Sequence, residues 1–179
     1  MQALLYRRII LLIRSTALRI QAVARGSWIS PAASVSIQET GRVEIGKGVH
    51  VAKGSVLSVL PGAVLTLGDG CMISHGVTIY CASKIDIGEQ CRVSHYCSIV
   101  DHDYDVHSTP DGESRFSRKI SSPITIGANV WVGAHTTILR GASVGANSVV
   151  GANSLVAKPL PGNILAYCRS NAQISQSKL

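Results

Sequence analysis

An isoleucine, valine or leucine returns at every sixth position along most of this chain, and few folds tolerate that period. The longest run is Ile126, Val132, Ile138, Val144, Val150 and Val156. Shorter runs are Ile45, Val51, Leu57; Leu67, Ile73, Ile79; and Ile87, Val93, Ile99. The next residue is usually small, as at Gly46, Gly68, Gly88, Gly127 and Gly145, and a second small or apolar side chain precedes each anchor by two, as at Val49, Cys71, Cys91 and Val130. A period of six suits neither an amphipathic helix nor a hairpin meander. It suits one short strand and one turn per hexad, stacked into a parallel β-helix.

Three hexads close one triangular coil, and the breaks in period agree with that count. They fall between Leu57 and Leu67, between Ile79 and Ile87, and between Ile99 and Ile126, each after three hexads. Every insertion should therefore leave from the same corner of the prism. The third is by far the longest and predicts an extended loop over residues 101–122. Insertions in repeat proteins gather on one face, often the binding face, and long loops in compact domains tend to be functional or disordered. That loop is the first place to look for chemistry.

At 179 residues the chain has the length of one domain. Aromatic residues make up only 4%, which fits a narrow core of stacked aliphatics. The net charge of +7 reads either as affinity for anions or as plain solubility. Nucleic acid is not expected, because no basic run is interleaved with aromatics and no recognition motif appears. Cys71, Cys91 and Cys97 occupy inward small-residue positions, where a thiol packs as a small hydrophobe. Cys71 and Cys91 should stack in neighbouring coils, at roughly the 4.8 Å strand spacing. That distance would permit a disulfide, but no secretory signal is read, so a reducing compartment and free thiols are expected. No CxxC pair suggests zinc.

The N-terminus follows another period. On a helical wheel Leu5, Ile9, Leu12, Ile13, Thr16, Ile20 and Val23 share one arc, with Arg7, Arg8, Arg14, Arg19 and Arg25 opposite and Leu11 out of place. The apolar run Ile9–Ile13 is too short to span a bilayer and lacks the cleavage site of a signal peptide. Two readings stay open. The helix covers the unpaired edge at the open end of the β-helix, or residues 4–25 lie in a membrane interface with arginines on anionic lipid.

The segment Pro123-Ile-Thr-Ile-Gly-Ala-Asn-Val-Trp-Val-Gly-Ala-His135, continuing through Ile138-Leu-Arg-Gly-Ala-Ser-Val-Gly-Ala-Asn-Ser-Val-Val-Gly-Ala-Asn-Ser-Leu-Val-Ala-Lys158 and Pro161-Gly-Asn-Ile-Leu-Ala166, resembles the hexapeptide-repeat acetyltransferases. The branch it is most similar to comprises the galactoside, maltose and polysaccharide O-acetyltransferases. The resemblance implies a left-handed coil, although ordinary β-crossovers are right-handed. It also implies a homotrimer with each active site in a cleft between two prisms. The expected organisation is an amphipathic helix over 1–26, a left-handed β-helix of about five coils over 27–166 carrying the 101–122 loop, and a tail over 167–179.

In this family the long loop carries a histidine that acts as general base, which points to His102 in Asp101-His-Asp-Tyr104. Acetyl transfer from a thioester to a sugar hydroxyl needs such a base, and an imidazole with an ordinary pKa near about 6.5 is suited to it. His95, in Val93-Ser-His-Tyr-Cys97, is the rival, in the register of the base of the lipid A acyltransferases. His75 holds the equivalent corner one coil earlier, so the two should stack. His135 and His50 have no special register.

For the co-substrate acetyl-CoA the resemblance carries over Ala134, Gly151 with Ala152, and Ala157 with Lys158. Small side chains there would let pantetheine lie against the backbone, and Lys158 can meet phosphates as a point charge. Trp131 reads equally as a CoA contact or as an outward plug at a subunit interface. Members usually close with Gly-x-Pro-Ala-Lys/Arg, whereas this chain reads Cys168-Arg-Ser-Asn-Ala-Gln-Ile174. Arg169 could supply the missing cation. Acceptor candidates are Ser74, Asp101, Asp103 and Tyr104, with the acids able either to orient the imidazole or to hold sugar hydroxyls.

The reading is an acetyl-CoA-dependent O-acetyltransferase of a sugar, in surface polysaccharide or lipopolysaccharide assembly. It is expected in the cytoplasm, with peripheral contact on the inner face of the membrane as an option, and without a metal. Alternatives are N-acetylation of an amino sugar and a non-catalytic trimeric scaffold. The least favoured is a zinc hydratase of the γ-class carbonic anhydrase type, suggested by the spacing of His102 and His107.

Overall fold

The hexads become strands of two to four residues joined by turns, in a computed structural model that describes residues 2–105, 114, 116–169 and 173–178. Three parallel sheets form a triangular prism. Face A stacks Trp28–Ile29, His50–Val51, Met72–Ile73, Arg92–Val93, Trp131–Val132, Val149–Val150 and Ile164–Arg169. Face B stacks Ser34–Ile37, Val56–Val59, Thr78–Cys81, Ser98–Val100, Thr137–Leu139 and Leu155–Val156. Face C stacks Arg42–Ile45, Val64–Leu67, Lys84–Ile87, Ile124–Ile126 and Ser143–Val144. The five strands of face C match the expected five coils. The architecture is a parallel β-helix of the left-handed hexad type.

The anchors stack in register up the prism interior. On face B, Leu57, Ile79, Ile99, Ile138 and Val156 form one fully buried column. Each contributes about 1.5–3 kcal/mol of apolar transfer free energy, and together they hold the repeat in phase. The small residue after each anchor has a steric cause. A Cβ on Gly127 would lie 2.6 Å from the backbone nitrogen of Ala146 in the next coil, so the turn admits only glycine there.

The three insertions that the period predicts leave from the corner between faces B and C, and a fourth, between Ile37 and Arg42, leaves from it in the first coil. The root of the longest one is itself a two-stranded antiparallel ribbon, in which His102 pairs with Ser121, Asp103 with Ile120 and Tyr104 with Lys119. Tyr104 packs edge-on against Phe116 at 5.2 Å, and the Lys119 ammonium lies 5.9 Å from the Tyr104 ring. Residues 167–169 and 173–178 differ from the expected tail. They extend face A with a final antiparallel pair, Ile164–Arg169 against Gln173–Lys178.

All five cysteines are free. The inward thiols do more than fill space, because each donates to a carbonyl of the neighbouring coil. Cys71 reaches Gly88 O at 2.8 Å, Cys91 reaches Gly127 O at 3.0 Å and Cys97 reaches Gly133 O at 3.1 Å. Ser27 does the same to Gly46 O in the first coil. Burial pushes the Cys97 thiol up, and pushes Cys81 up to about 12 with the Asp101 charge adding to it. Cys71 is raised first by its hydrogen bond with Cys91 and then by burial. Cys71, Cys81 and Cys97 therefore stay protonated, while the same Cys71 hydrogen bond lowers Cys91.

The helix Gln2–Ala24 lies across the open end of the first coil, but with the opposite face inward from the one an apolar seal would use. Leu18 and Ala22 are buried against the coil. Beside them Arg19 donates to the carbonyls of Ile29, Ser30 and Ala33 at 2.7–2.9 Å, and Arg14 donates to Gly41 O at 2.6 Å. A first coil has no preceding coil to pair its edge, and two guanidiniums, each rich in donors, supply the missing bonds. Ile9, Leu12, Ile13, Ile20 and Val23 remain exposed on the far side.

Candidate active site

Face B separates two corners that hold nearly all of the candidate residues. At the corner with face C, Asp101 and His102 open the long insertion. Asp101 lies two residues past the anchor Ile99, where earlier coils place Ile37, Val59 and Cys81 two past Val35, Leu57 and Ile79. A carboxylate thus enters an apolar column, fully buried. Its burial is tolerated because three successive backbone N–H groups, of Ala82, Ser83 and Lys84, donate to it at 2.7, 2.8 and 2.9 Å.

The same carboxylate faces His102, with Oδ1 at 3.4 Å from Nδ1. A carboxylate offers only lone pairs, so a neutral imidazole facing it carries its proton on Nδ1 and leaves Nε2 free to accept one. The His102 side chain is 15% exposed, which lets a reactant reach it while its root stays fixed. This is the base-and-orienter arrangement expected of a general base. Contacts of this kind are often long before substrate binds.

Two acceptor candidates change place. Asp101 cannot hold a sugar, since its oxygens are buried and taken by backbone donors. Asp103 follows His102 in a strand and so points to the other side of the ribbon, where its Oδ1 accepts from the Tyr104 N–H at 2.8 Å. Tyr104 shares the side of His102 by the same alternation, and is exposed. Ala157 and Lys158 are exposed at this corner too, two coils beyond His102 by strand register, or roughly 10 Å.

The corner between faces A and B gathers the rest. Ser74 follows the anchor Ile73, and Ser94 occupies the equivalent place one coil on. The Trp131 indole N–H donates to Ser94 Oγ at 3.0 Å, while 54% of the residue stays exposed. His75, His95, Ala134 and Ala152 stack as one column, each two residues past its anchor. Gly151 donates its N–H to Ala166 O within face A. His95 is therefore a neighbour of the small-residue stripe, whereas His102 lies across face B from it, roughly 15 Å along the strand direction. One protomer does not bring His102 together with Trp131, Ala134, Ala152 or Ser74.

His135 has a register that the hexad reading missed. The third position after the face A anchors Val51, Ile73, Val93, Val132 and Val150 adopts positive φ, and its occupants are Gly54, Gly76, Tyr96, His135 and Asn153. Tyr96 and His135 stack at 5.3 Å with an interplanar angle of 23°, and His95 meets Tyr96 edge-on. The signal was present as glycine in two coils and asparagine in a third, residues that tolerate this backbone. Among the described residues no cluster of His, Cys, Asp or Glu could hold a metal ion. His107 lies outside them, and of Arg169 only the strand position is described.

Residues 123–158 match the family model described as bacterial transferase hexapeptide (six repeats). Galactoside O-acetyltransferase of Escherichia coli is 28% identical over 144 residues, which cover 80% of this chain and 58% of that protein. The chain spans about half the length of the curated relatives it matches. AntD, an N-acyltransferase from Bacillus cereus solved with dTDP and 3-hydroxybutyryl-CoA, superposes with a TM-score of 0.69 at 18% identity, covering 84% of this chain and 78% of that one. The polySia-specific acetyltransferase NeuO superposes with a TM-score of 0.65 at 22% identity, covering 82% and 66%. These structures share the fold. Residues 123–158 thus carry the hexapeptide repeat of bacterial transferases, on a coil that these solved structures share.

Proposed function

We propose that the chain is an acetyl-CoA-dependent O-acetyltransferase acting on a sugar hydroxyl, with His102 as general base. The observation that supports it is the Asp101–His102 pair, a fixed carboxylate orienting an accessible imidazole at the root of the one long insertion. In this reading the enzyme is a homotrimer. The small-residue stripe of one prism and the His102 corner of its neighbour then form the two walls of a cleft, which accounts for their separation within a protomer.

The chemistry is direct transfer. His102 Nε2 takes the proton of the acceptor hydroxyl as its oxygen adds to the thioester carbonyl. The C–S bond then breaks, and the proton passes to the leaving CoA thiolate. Ala134 and Ala152 leave room for pantetheine against the backbone, while Lys158 faces the nucleotide phosphates. Backbone N–H groups in that cleft would hold the oxyanion. Galactoside O-acetyltransferase and NeuO are named for sugar acceptors, which favours a cytoplasmic role in surface polysaccharide or lipopolysaccharide assembly. AntD, named for N-acyl transfer, keeps an amino-sugar acceptor as the second reading.

The deciding experiment measures thiol release from acetyl-CoA against a panel of neutral and amino sugars. Acceptor-dependent release is expected, with an acetylated product that mild alkali cleaves as an ester. An alkali-stable product would assign the amide reaction instead. Turnover with no acceptor in the panel, together with failure to bind CoA, would leave a trimeric scaffold.

A further inference from the structure

The amphipathic helix seals the β-helix with its arginine side and leaves its apolar side unused. Taking Leu18 and Ala22 as the inward direction, Ile9, Ile13 and Ile20 lie nearly opposite at about 100° per residue, with Leu12 and Val23 along one flank. Leu12 and Ile20 are each 67% exposed, and Ile9, Ile13 and Val23 are also open to solvent. Tyr6 adds an exposed amphipathic ring at the edge of the stripe. Next to Ile20 the stripe meets an open groove of about 750 Å³ between the helix and the first coil, walled by Ala17, Leu18, Ile37 and Val43, with Arg42 on its rim. Soluble monomers rarely expose contiguous apolar surface on this scale without a partner.

The direction of the stripe narrows what can cover it. It faces away from the end of the prism, so copies arranged side by side about an axis parallel to the prism do not reach it. A copy packed end to end would oppose two ends that each expose Arg8, Arg25, Arg42 and Lys47 against only Glu39 and Glu44, so that like net charges meet. A lipid surface supplies both hydrocarbon for the stripe and anions for Arg8, Arg25, Arg42 and Lys47, which outnumber Glu39 and Glu44 among the exposed charges of this end. No helix among the described residues is long and apolar enough to cross a membrane, which leaves in-plane contact. We infer that this helix docks the prism end-on upon an anionic bilayer, its stripe in the interface. Arg14 and Arg19, committed to carbonyls of the first coil, take no part in lipid contact. The inference does not depend on which acyl transfer the enzyme performs.

The test is sedimentation of the full chain with vesicles of phosphatidylglycerol and of phosphatidylcholine. Binding to the anionic vesicles should exceed binding to the neutral ones at least tenfold and should weaken as salt screens the cations. The variant Leu12→Gln/Ile13→Gln/Ile20→Gln keeps good helix formers at positions the prism does not touch. It should lose at least tenfold in binding with an unchanged circular dichroism spectrum. Arg8→Glu should narrow the anionic preference several-fold. Equal sedimentation of wild type and triple variant, or none of the wild type, would overturn the inference. A concentration-dependent doubling of mass in light scattering, abolished by the triple variant, would also overturn it and assign the stripe to a second copy.

Discussion

The two corners bounding face B are made from the same repeat and carry different kinds of residue. The corner with face C accepts insertions in four coils, and there the chain places a buried carboxylate and the histidine it orients. The corner with face A stays in register throughout, and there it places small residues, indole and imidazole on a fixed ladder. An unbroken register suits a slot for an extended ligand, because every coil offers the same backbone groups at the same spacing. An insertion suits a reacting side chain, which must leave the wall of the prism to reach another surface. The contrast says where catalysis and where binding should fail on mutation.

The largest effect should come from the two histidines on opposite corners. His102→Ala should lower kcat by about 10²–10⁴, the range of a positioned general base, with CoA affinity nearly unchanged. His95→Ala should act mainly on KM, since His95 adjoins the small-residue stripe. Steady-state kinetics and CoA titration on both variants separate these outcomes. If His95→Ala carries the kcat loss and His102→Ala does not, the roles of the corners are reversed.

Asp101 gives the next effect and tests the base corner alone. An asparagine there keeps the size but turns an amide NH₂ toward at least one of the N–H groups of Ala82, Ser83 and Lys84, which now donate to a carboxylate. A donor left unsatisfied in a buried site costs about 1–3 kcal/mol. Asp101→Asn should therefore lower the melting temperature by several degrees and reduce kcat, while Kd for CoA stays close to wild type. A melting temperature equal to wild type would mean that the carboxylate does not fix this corner.

The anchors and the insertion corner were legible from the hexad count, because burial of one aliphatic every sixth residue leaves a periodic trace. The place of His102 at the root of the longest insertion was legible from the same count, whereas its role as base rests on the family resemblance. Asp101 stayed open between orienting the imidazole and holding a sugar, because its inward column shows only by aligning Ile37, Val59, Cys81 and Asp101 across coils. The orientation of the N-terminal helix was hidden for a different reason. A hydrophobic wheel weighs apolar burial, whereas the open end of a β-helix presents unpaired carbonyls, and guanidinium donors meet that need better than leucine does. The Tyr96–His135 stack escaped because backbone conformation, not hydropathy, links its members.

The smallest effect is expected at that stack, and it tests whether the binding corner is built for stability or for ligand. His135 holds φ at 58°, a left-handed conformation that asparagine adopts more readily, as Asn153 does one coil on at φ 56°. His135→Asn therefore relieves backbone strain while losing the ring that lies 5.3 Å from Tyr96. An aromatic pair is worth about 0.5–1.5 kcal/mol beyond its buried area, and exposure of both rings puts this one at the lower end. The two contributions oppose each other, so thermal melts should agree with wild type to within about 1 kcal/mol. If the ring serves ligand, KM for CoA or acceptor should rise several-fold at constant stability. Should the melt instead fall by more than about 2 kcal/mol with KM unchanged, the stack is part of the structural frame, and the binding corner reduces to its small residues and Trp131.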